Sequence, residues 1–256
     1  LQVERHKDII NLLRVQNVVK IEDLVRTLGV SENTVRRDLG ALEQEGLLRR
    51  TQGGALLPAG TPYFTPFTER QQRNTTEKRL IAHEAARLIS PGSTIILDAG
   101  TTTIELAHAV KGIPELTVVT TSIEVANCLL NAPQVSVLLS GGILFPISRS
   151  LVGLPAEQFF DGINADLLFL SVRGISFEKG FTNQNIQETA VKQRMIKAAR
   201  EVVVLADSSK FNKVTLSAVC GLDDVDVIIT DRGAPTALVE QLRERGIKII
   251  TVDVPA

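Results

Sequence analysis

Seven short, largely apolar runs recur through this chain, at Thr94 to Leu97, Leu116 to Thr120, Val135 to Leu139, Leu167 to Val172, Val202 to Ala206, Val227 to Thr230 and Ile247 to Val252. Strands without a polar face must be covered on both sides, which is the situation of parallel sheets sandwiched between helices. Helix-like segments lie between many of the runs, so the expected class is α/β with a mostly parallel sheet. Several runs end in Asp, Gly, Ser or Thr, and ligands of open α/β sheets sit at the carboxyl ends of strands.

The pattern does not reach the start of the chain. Residues 1–57 read as three short helices and a hairpin, with helical spacing in Ile9, Leu12 and Leu13 and again in Leu24, Val25 and Leu28. Pro58, Gly60, Pro62 and Pro66 follow within one stretch that can sustain neither a helix nor a central strand. The expected organisation is a domain over 1–57, a linker over 58–73 and a domain over 74–256. Asn74, three residues before Glu77, opens the second domain with a helix whose stripe is Ile81, Ala85, Leu88 and Ile89.

Composition narrows the function classes. A chain of 256 residues that is 44% hydrophobic and 22% charged has ample material for a packed core. No apolar stretch nears the roughly 20 residues of a membrane helix, and the N-terminus lacks a signal-peptide apolar region. A cytoplasmic protein without a membrane partner is expected. Cys128 and Cys220 form no CxxC pair, and His6, His83 and His108 are scattered, so buried structural thiols, no metal and no cofactor are expected. A net charge of −1 excludes wholesale basicity as a reason to bind nucleic acid. Any such contact must come from local placement.

Residues 29–57 supply such placement. Gly29 and Val30 make a tight turn, Ser31 can cap a helix from Glu32 to about Gln44, and Glu32 suits the positive end of its dipole. Val35, Leu39 and Leu42 share one face of that helix; Asn33, Arg36, Arg37 and Gly40 share the other. In a major groove, arginine bonds guanine or neutralises phosphate, and asparagine pairs with adenine. The competing reading is a solvated face on which Arg36 or Arg37 merely pairs with Asp38 or Glu32. Leu47 to Arg50, the turn at Gly53 and Gly54, and Ala55 to Leu57 form a hairpin wing that adds Arg49 and Arg50. Residues 1–57 hold nine Lys and Arg against eight Asp and Glu, so the field arises from arrangement rather than excess.

In the second domain, the run Ile95 to Leu97 passes through Asp98, Ala99, Gly100, Thr101 and Thr102 into a helix expected near Thr103 to Val110. Free amides, the helix dipole and threonine hydroxyls at such a junction form a phosphate cradle; ordinary helix capping is the alternative. Thr120-Thr121-Ser122, Ser140-Gly141-Gly142 and Asp207-Ser208-Ser209-Lys210 would converge on the same edge of a parallel sheet, although each singly reads as a turn or cap. Glu188 and Lys192, at i and i+4, read equally as an exposed ion pair.

The segment Val30-Ser31-Glu32-Asn33-Thr34-Val35-Arg36-Arg37-Asp38-Leu39, followed by Leu42-Glu43 and Gly53-Gly54-Ala55, resembles the DeoR family of bacterial repressors. It departs at Gln52, where the family usually has histidine. Asp98-x-Gly100-Thr101-Thr102-Thr103, Gly141-Gly142, Gly153, Gly180-x-Thr182, Glu188, Lys192 and Asp207-Ser208-Ser209-Lys210 resemble that family's effector domain. The resemblance implies a winged helix-turn-helix followed by a mostly parallel, Rossmann-like effector domain similar to ribose-5-phosphate isomerase. It further implies operator DNA and a phosphorylated sugar as partners and relief of repression by the sugar; holding two winged helices on paired half-sites requires a homo-oligomer, dimer or tetramer.

The DNA-facing set is then Ser31, Asn33, Thr34, Arg36, Arg37, Arg49, Arg50 and Gln52. The effector-facing set is Asp98, Gly100, Thr101, Thr102, Thr103, Thr121, Ser122, Gly141, Gly142, Arg173, Lys192 and Lys210. Arg173 stands where relatives tend to carry small or acidic residues, and a cation there suits a second phosphate, a carboxylate or a neighbouring acid. One rival is a small-molecule-binding protein whose N-terminal module pairs with another protein rather than DNA; the other is a sugar-phosphate isomerase fused to a DNA-binding module, with Lys179 and Glu188 as acid and base. Residues 171–174 offer no carboxylate for that chemistry, so no catalytic residue is expected.

Overall fold

A computed structural model describes residues 2–16, 18–45, 47–56 and 67–253. The chain divides between Pro66 and Phe67 into two compact units. The first runs α1 (Gln2–Gln16), β1 (Val18–Lys20), α2 (Ile21–Leu28), α3 (Glu32–Gln44), β2 (Arg49–Thr51) and β3 (Gly54–Leu56). Ile9, Leu13, Leu24, Val35, Leu39 and Leu48 form its core. Gly29, at φ 64°, ends α2 with its N–H on the Val25 carbonyl, and the Ser31 side chain accepts from the Thr34 N–H to start α3. The hairpin gains an unexpected third strand, in the antiparallel order β1-β3-β2. The close pairing requires Gly54, because a Cβ there would lie 1.8 Å from the Val19 carbonyl oxygen.

The second unit opens with α4 (Phe67–Gln72) and α5 (Thr75–Ala86). The expected linker therefore needs correction at 67–73, where burial of the Phe67 ring, 2% exposed, stabilises a short helix. Residues 58–66 of that linker, and Leu57 before them, lie outside the described residues. The chain continues through β4 (Thr94–Leu97), α6 (Thr101–Ala109), β5 (Leu116–Thr120), α7 (Ile123–Leu129) and β6 (Val135–Leu139). A hairpin of β7 (Ile143–Phe145) and β8 (Ser150–Val152) leads to α8 (Leu154–Phe159), β9 (Ala165–Leu170), β10 (Gly174–Ser176), β11 (Gly180–Asn183) and α9 (Ile186–Lys197). Then come β12 (Ala199–Leu205), β13 (Ser217–Cys220), β14 (Val227–Asp231), α10 (Thr236–Glu244) and β15 (Lys248–Val252).

Each apolar run becomes a strand of one seven-stranded parallel sheet, ordered β15-β14-β12-β9-β4-β5-β6. Ile96, Leu168, Val204 and Ile228 pack on one face with Val191, Met195 and Leu242, from α9 and α10. Ile95, Phe169 and Val203 pack on the other with Ile81, Leu106 and Val125, from α5, α6 and α7. Burial is incomplete along β6 at one edge, where Leu138 and Leu139 are exposed, and at the start of the inner strand β12, where Arg200 is exposed. No helix among the described residues is long and apolar enough to cross a membrane.

The order of strands places the site. From β4 the chain steps outward to β5 and β6, then returns to β9 on the other flank of β4 and steps away to β12, β14 and β15. The connections leaving β4 and β9 thus diverge, which makes their carboxyl ends the switch point at which open α/β sheets form a ligand crevice.

Candidate functional site

In the first unit, packing of Val35, Leu39 and Leu42 turns the opposite face of α3 outward. Asn33, Arg36 and Arg37 are exposed there, as are Arg49, Arg50 and Gln52 on the wing. Arg36 donates to the Glu32 carboxylate at 2.6 Å, so the local pairing considered from sequence does form. Asp38 does not take part. It is buried, and Arg5 on α1 donates to it at 2.5 and 3.0 Å while His6 lies at 3.2 Å. Burial alone would raise the Asp38 carboxyl, but hydrogen bonds from Arg5 and His6 hold it below the ordinary carboxylate value. Arg37 consequently has no ion-pair partner among the described residues. Gly40 faces the wing, and a Cβ there would stand 3.7 Å from Nη1 of Arg50, an ordinary van der Waals contact. Ser31 and Thr34 share a hydroxyl hydrogen bond of 2.9 Å at the start of the helix.

In the second unit, the crevice is braced by charge. Asp98, just past β4, accepts from the Ala99 N–H at 2.7 Å and from the Ser171 N–H at 2.9 Å. Lys192 of α9 donates to the same carboxylate and also to the Ser171 carbonyl at 2.9 Å. The end of β4, the end of β9 and α9 are thereby tied together by a buried ion pair. Gly100 continues the close fit: a Cβ would sit 1.9 Å from the Ser171 Oγ. Gly100→Ala is therefore expected to destabilise the protein by about 1–3 kcal/mol through overpacking. Adding Ser171→Gly should restore most of that loss in chemical denaturation.

Several candidate residues serve the fold with the atoms expected to meet a ligand. Thr103 donates its hydroxyl to the Asp98 and Gly100 carbonyls, at 2.6 and 3.0 Å, so it braces the turn. Ser122 is a helix cap, accepting from the Val125 N–H at 3.2 Å. Gly141 and Gly142 are exposed at the start of the β7–β8 hairpin, where Gly142 has φ 130° and a Cβ would approach the Val152 carbonyl. Lys192 is spent on Asp98 rather than on Glu188, and Glu188 is itself buried, with Asn183 donating to it at 3.4 Å. Lys179 is exposed and borders a separate surface depression with Gln193 and Asp223. Thr101 and Thr102 occupy the first turn of α6, and Thr121 lines a void of about 10 Å³ beside Asp98 and Glu188, room for roughly one water.

Arg173 and Lys210 lie among charged neighbours. Burial lowers the Arg173 guanidinium from its ordinary value, against the opposing pull of Glu188 and Asp98. Burial likewise lowers Lys210, opposed by Asp207 at 3.5 Å and reinforced by Arg173. Sequence reasoning missed two further cations. Burial brings Arg70 of α4 down to about 9, Arg173 adds to the effect, and Glu188 and Asp98 oppose it. Burial brings Lys78 of α5 down to about 8, and its ammonium donates to the Arg70 and Arg73 carbonyls. Asn74 also enters, donating to Asp207 at 2.9 Å.

The thiols behave differently from expectation in one respect. Both are half-buried rather than fully enclosed, and Cys128 Sγ lies 3.4 Å from His108 Nδ1, two residues that look unrelated along the chain. Burial pushes the Cys220 thiol up to about 12.

Comparison with known proteins agrees with both halves of this description. Residues 5–61 match the DeoR-like helix-turn-helix domain, and residues 73–232 match the DeoR C terminal sensor domain. The chain is 37% identical to the HTH-type transcriptional regulator GolR of Listeria innocua, over 96% of this chain and 97% of that one. It is 39% identical to a proposed aga operon transcriptional repressor of Escherichia coli O157:H7, over 97% and 93% respectively. To the glycerol-3-phosphate regulon repressor of Escherichia coli strain K12 it is 32% identical, over 97% and 98%. Among solved structures, ribose 5-phosphate isomerase A from Methanocaldococcus jannaschii is similar over 52% of this chain and 53% of that one, at 18% identity and a TM-score of 0.39. With its arginine-bearing helix-turn-helix ahead of a parallel-sheet sensor domain, the chain belongs to the DeoR family of transcriptional regulators.

Proposed function

We propose that this protein is a cytoplasmic repressor of carbohydrate-metabolism genes that leaves its operator when a phosphorylated sugar enters the crevice between β4 and β9. The observation that carries the effector half is the convergence of the Gly100–Thr102 turn, Arg173 and Lys210 at the point where the strand order reverses. Backbone amides at a helix start favour a phosphoryl group, and the two cations supply charge. The DNA half rests on Asn33, Arg36, Arg37, Arg49 and Arg50, all exposed around α3 and the wing. The Arg36–Glu32 pair is no obstacle to it, since an exposed pair contributes about 0–1 kcal/mol. A sensor rather than an isomerase is favoured because Asp98 and Lys192 are committed to each other, and Lys179 lies apart on the surface.

Release follows from linkage: if effector and DNA prefer different arrangements of the protein, the effector lowers DNA affinity, and DNA lowers effector affinity by the same factor. Helix-turn-helix proteins commonly grip paired half-sites as dimers. Exposed Leu138, Leu139, Ile143, Leu144 and Leu154 around the β6 edge favour a self-contact there. A thermal-shift screen of sugar phosphates tests the sensor, since a ligand at 100 times its Kd stabilises by about 2.7 kcal/mol. A hit should weaken a gel shift with promoter DNA, whereas Thr101→Val and Lys210→Ala should keep DNA binding and lose the response. A screen without a hit, or hits that leave the gel shift unchanged, would overturn the reading.

A further inference from the structure

The segment from α4 to the start of α5 crosses the mouth of the crevice. At one end the Phe67 N–H bonds the Ile147 carbonyl at 2.9 Å, in the loop of the β7–β8 hairpin. That hairpin is fastened beyond β5, through Leu151 N–H to the Thr121 carbonyl and Ile123 N–H to the Arg149 carbonyl. At the other end Asn74 bonds Asp207, just past β12. Because the sheet order is β12-β9-β4-β5, a segment pinned at both places passes over the ends of β9 and β4, where Asp98 and Arg173 lie. Its helix packs on α6, whose first turn carries Thr101 and Thr102.

Arg70 projects from this segment. Its guanidinium stands 5.5 Å from the Phe67 ring centre, on a ring that Arg149 also approaches at 5.4 Å. It feels the charges of Arg173, Glu188 and Asp98, which places it in the same electrostatic neighbourhood. Around the crevice, the cations Arg70, Lys78, Arg173, Lys192 and Lys210 face the carboxylates Asp98, Glu188 and Asp207. The excess of positive charge suits a phosphate monoester, which carries about −1.5 to −2 at neutral pH.

We propose that Arg70 is a direct ligand of the effector's phosphoryl group, so that the segment 67–78 forms one wall of the site and is held in place by the ligand. The inference rests on the sensor reading above and adds to it. Residues 67–78 are where the chain enters the sensor unit from the DNA-binding unit. Ligand-dependent order there acts on the covalent connection between sensing and DNA binding.

The test uses the full-length protein with inorganic phosphate as probe, against chloride at matched ionic strength. Affinity comes from titrated thermal shifts, and order from hydrogen exchange across residues 67–78. Wild type should gain protection in that segment with phosphate. Arg70→Gln should bind phosphate roughly ten- to hundredfold more weakly, the loss expected for a charged hydrogen-bonding partner. Arg70→Lys, which keeps charge but not the planar fork, should fall between them. A merely structural role would lower the ligand-free melting temperature while leaving the phosphate affinity of Arg70→Gln at the wild-type value, and that result overturns the assignment. If wild type ignores phosphate and every sugar phosphate, the sensor reading fails and the assignment falls with it.

Discussion

Replacing Arg37 by alanine is expected to weaken binding to a selected operator by about 1–3 kcal/mol, roughly five- to 150-fold, if the arginine reads a base edge. Arg36→Ala should cost less, because Arg36 must first give up its pairing with Glu32. Neither side chain supports the fold: both are exposed, and the core face of α3 is made by Val35, Leu39 and Leu42. Stability and sugar-phosphate affinity should therefore stay at wild-type values in both variants. The measurement is fluorescence anisotropy over a salt series, using DNA enriched from a random pool by the wild-type protein. A residue that neutralises phosphate would lower the salt slope by about 0.9 for each contact and weaken all sequences alike. A base reader would instead relax sequence preference at one position. Unchanged affinity and slope in the double variant would remove α3 from the DNA interface.

The legible parts of this molecule are those whose cause is local. The strands announced themselves because central parallel strands lack a polar face, and Ile95, Ile96 and Leu97 have no exposure at all. The end of α2 and the start of α3 were readable because a left-handed glycine and a capping serine act within a turn of their own position. What remained hidden depends on distant neighbours. The strand β1 is three residues long, too short to display a period, and is held by pairing with β3. Helix α4 follows a proline-rich stretch and owes its place to one buried phenylalanine. Asp38 looked available to Arg36 and Arg37 until α1 brought Arg5 against it. Arg70 resembles any arginine on a solvated helix, and only the crossing of its segment over the sheet end brings it to the crevice. Polar residues at strand ends stand out in the sequence as a group. Which of their hydroxyls turn inward to carbonyls, as that of Thr103 does, is decided by packing that no spacing reveals.

Asp98→Ala should be among the most damaging single changes in the sensor unit, costing about 3–5 kcal/mol, because it leaves a buried ammonium without its counter-charge. The residue also accepts two backbone N–H groups, so its loss orphans Ala99 and Ser171 as well as Lys192. Removing the partner is not symmetrical. In Lys192→Met the carboxylate keeps both backbone donors, which stabilise its charge, and the smaller loss falls on the Ser171 carbonyl. Urea denaturation should rank Asp98→Ala below Lys192→Met, with a melting temperature lowered by roughly 2–4 °C per kcal/mol for a unit of this size. The double variant Asp98→Asn with Lys192→Met removes both charges and keeps an oxygen for the amides, so it should recover much of the stability lost in Asp98→Ala. Equal losses in the two single variants would mean that the backbone donors contribute nothing to the carboxylate. The brace between the ends of β4 and β9 would then be the ion pair alone, and the width of the crevice would depend on Lys192.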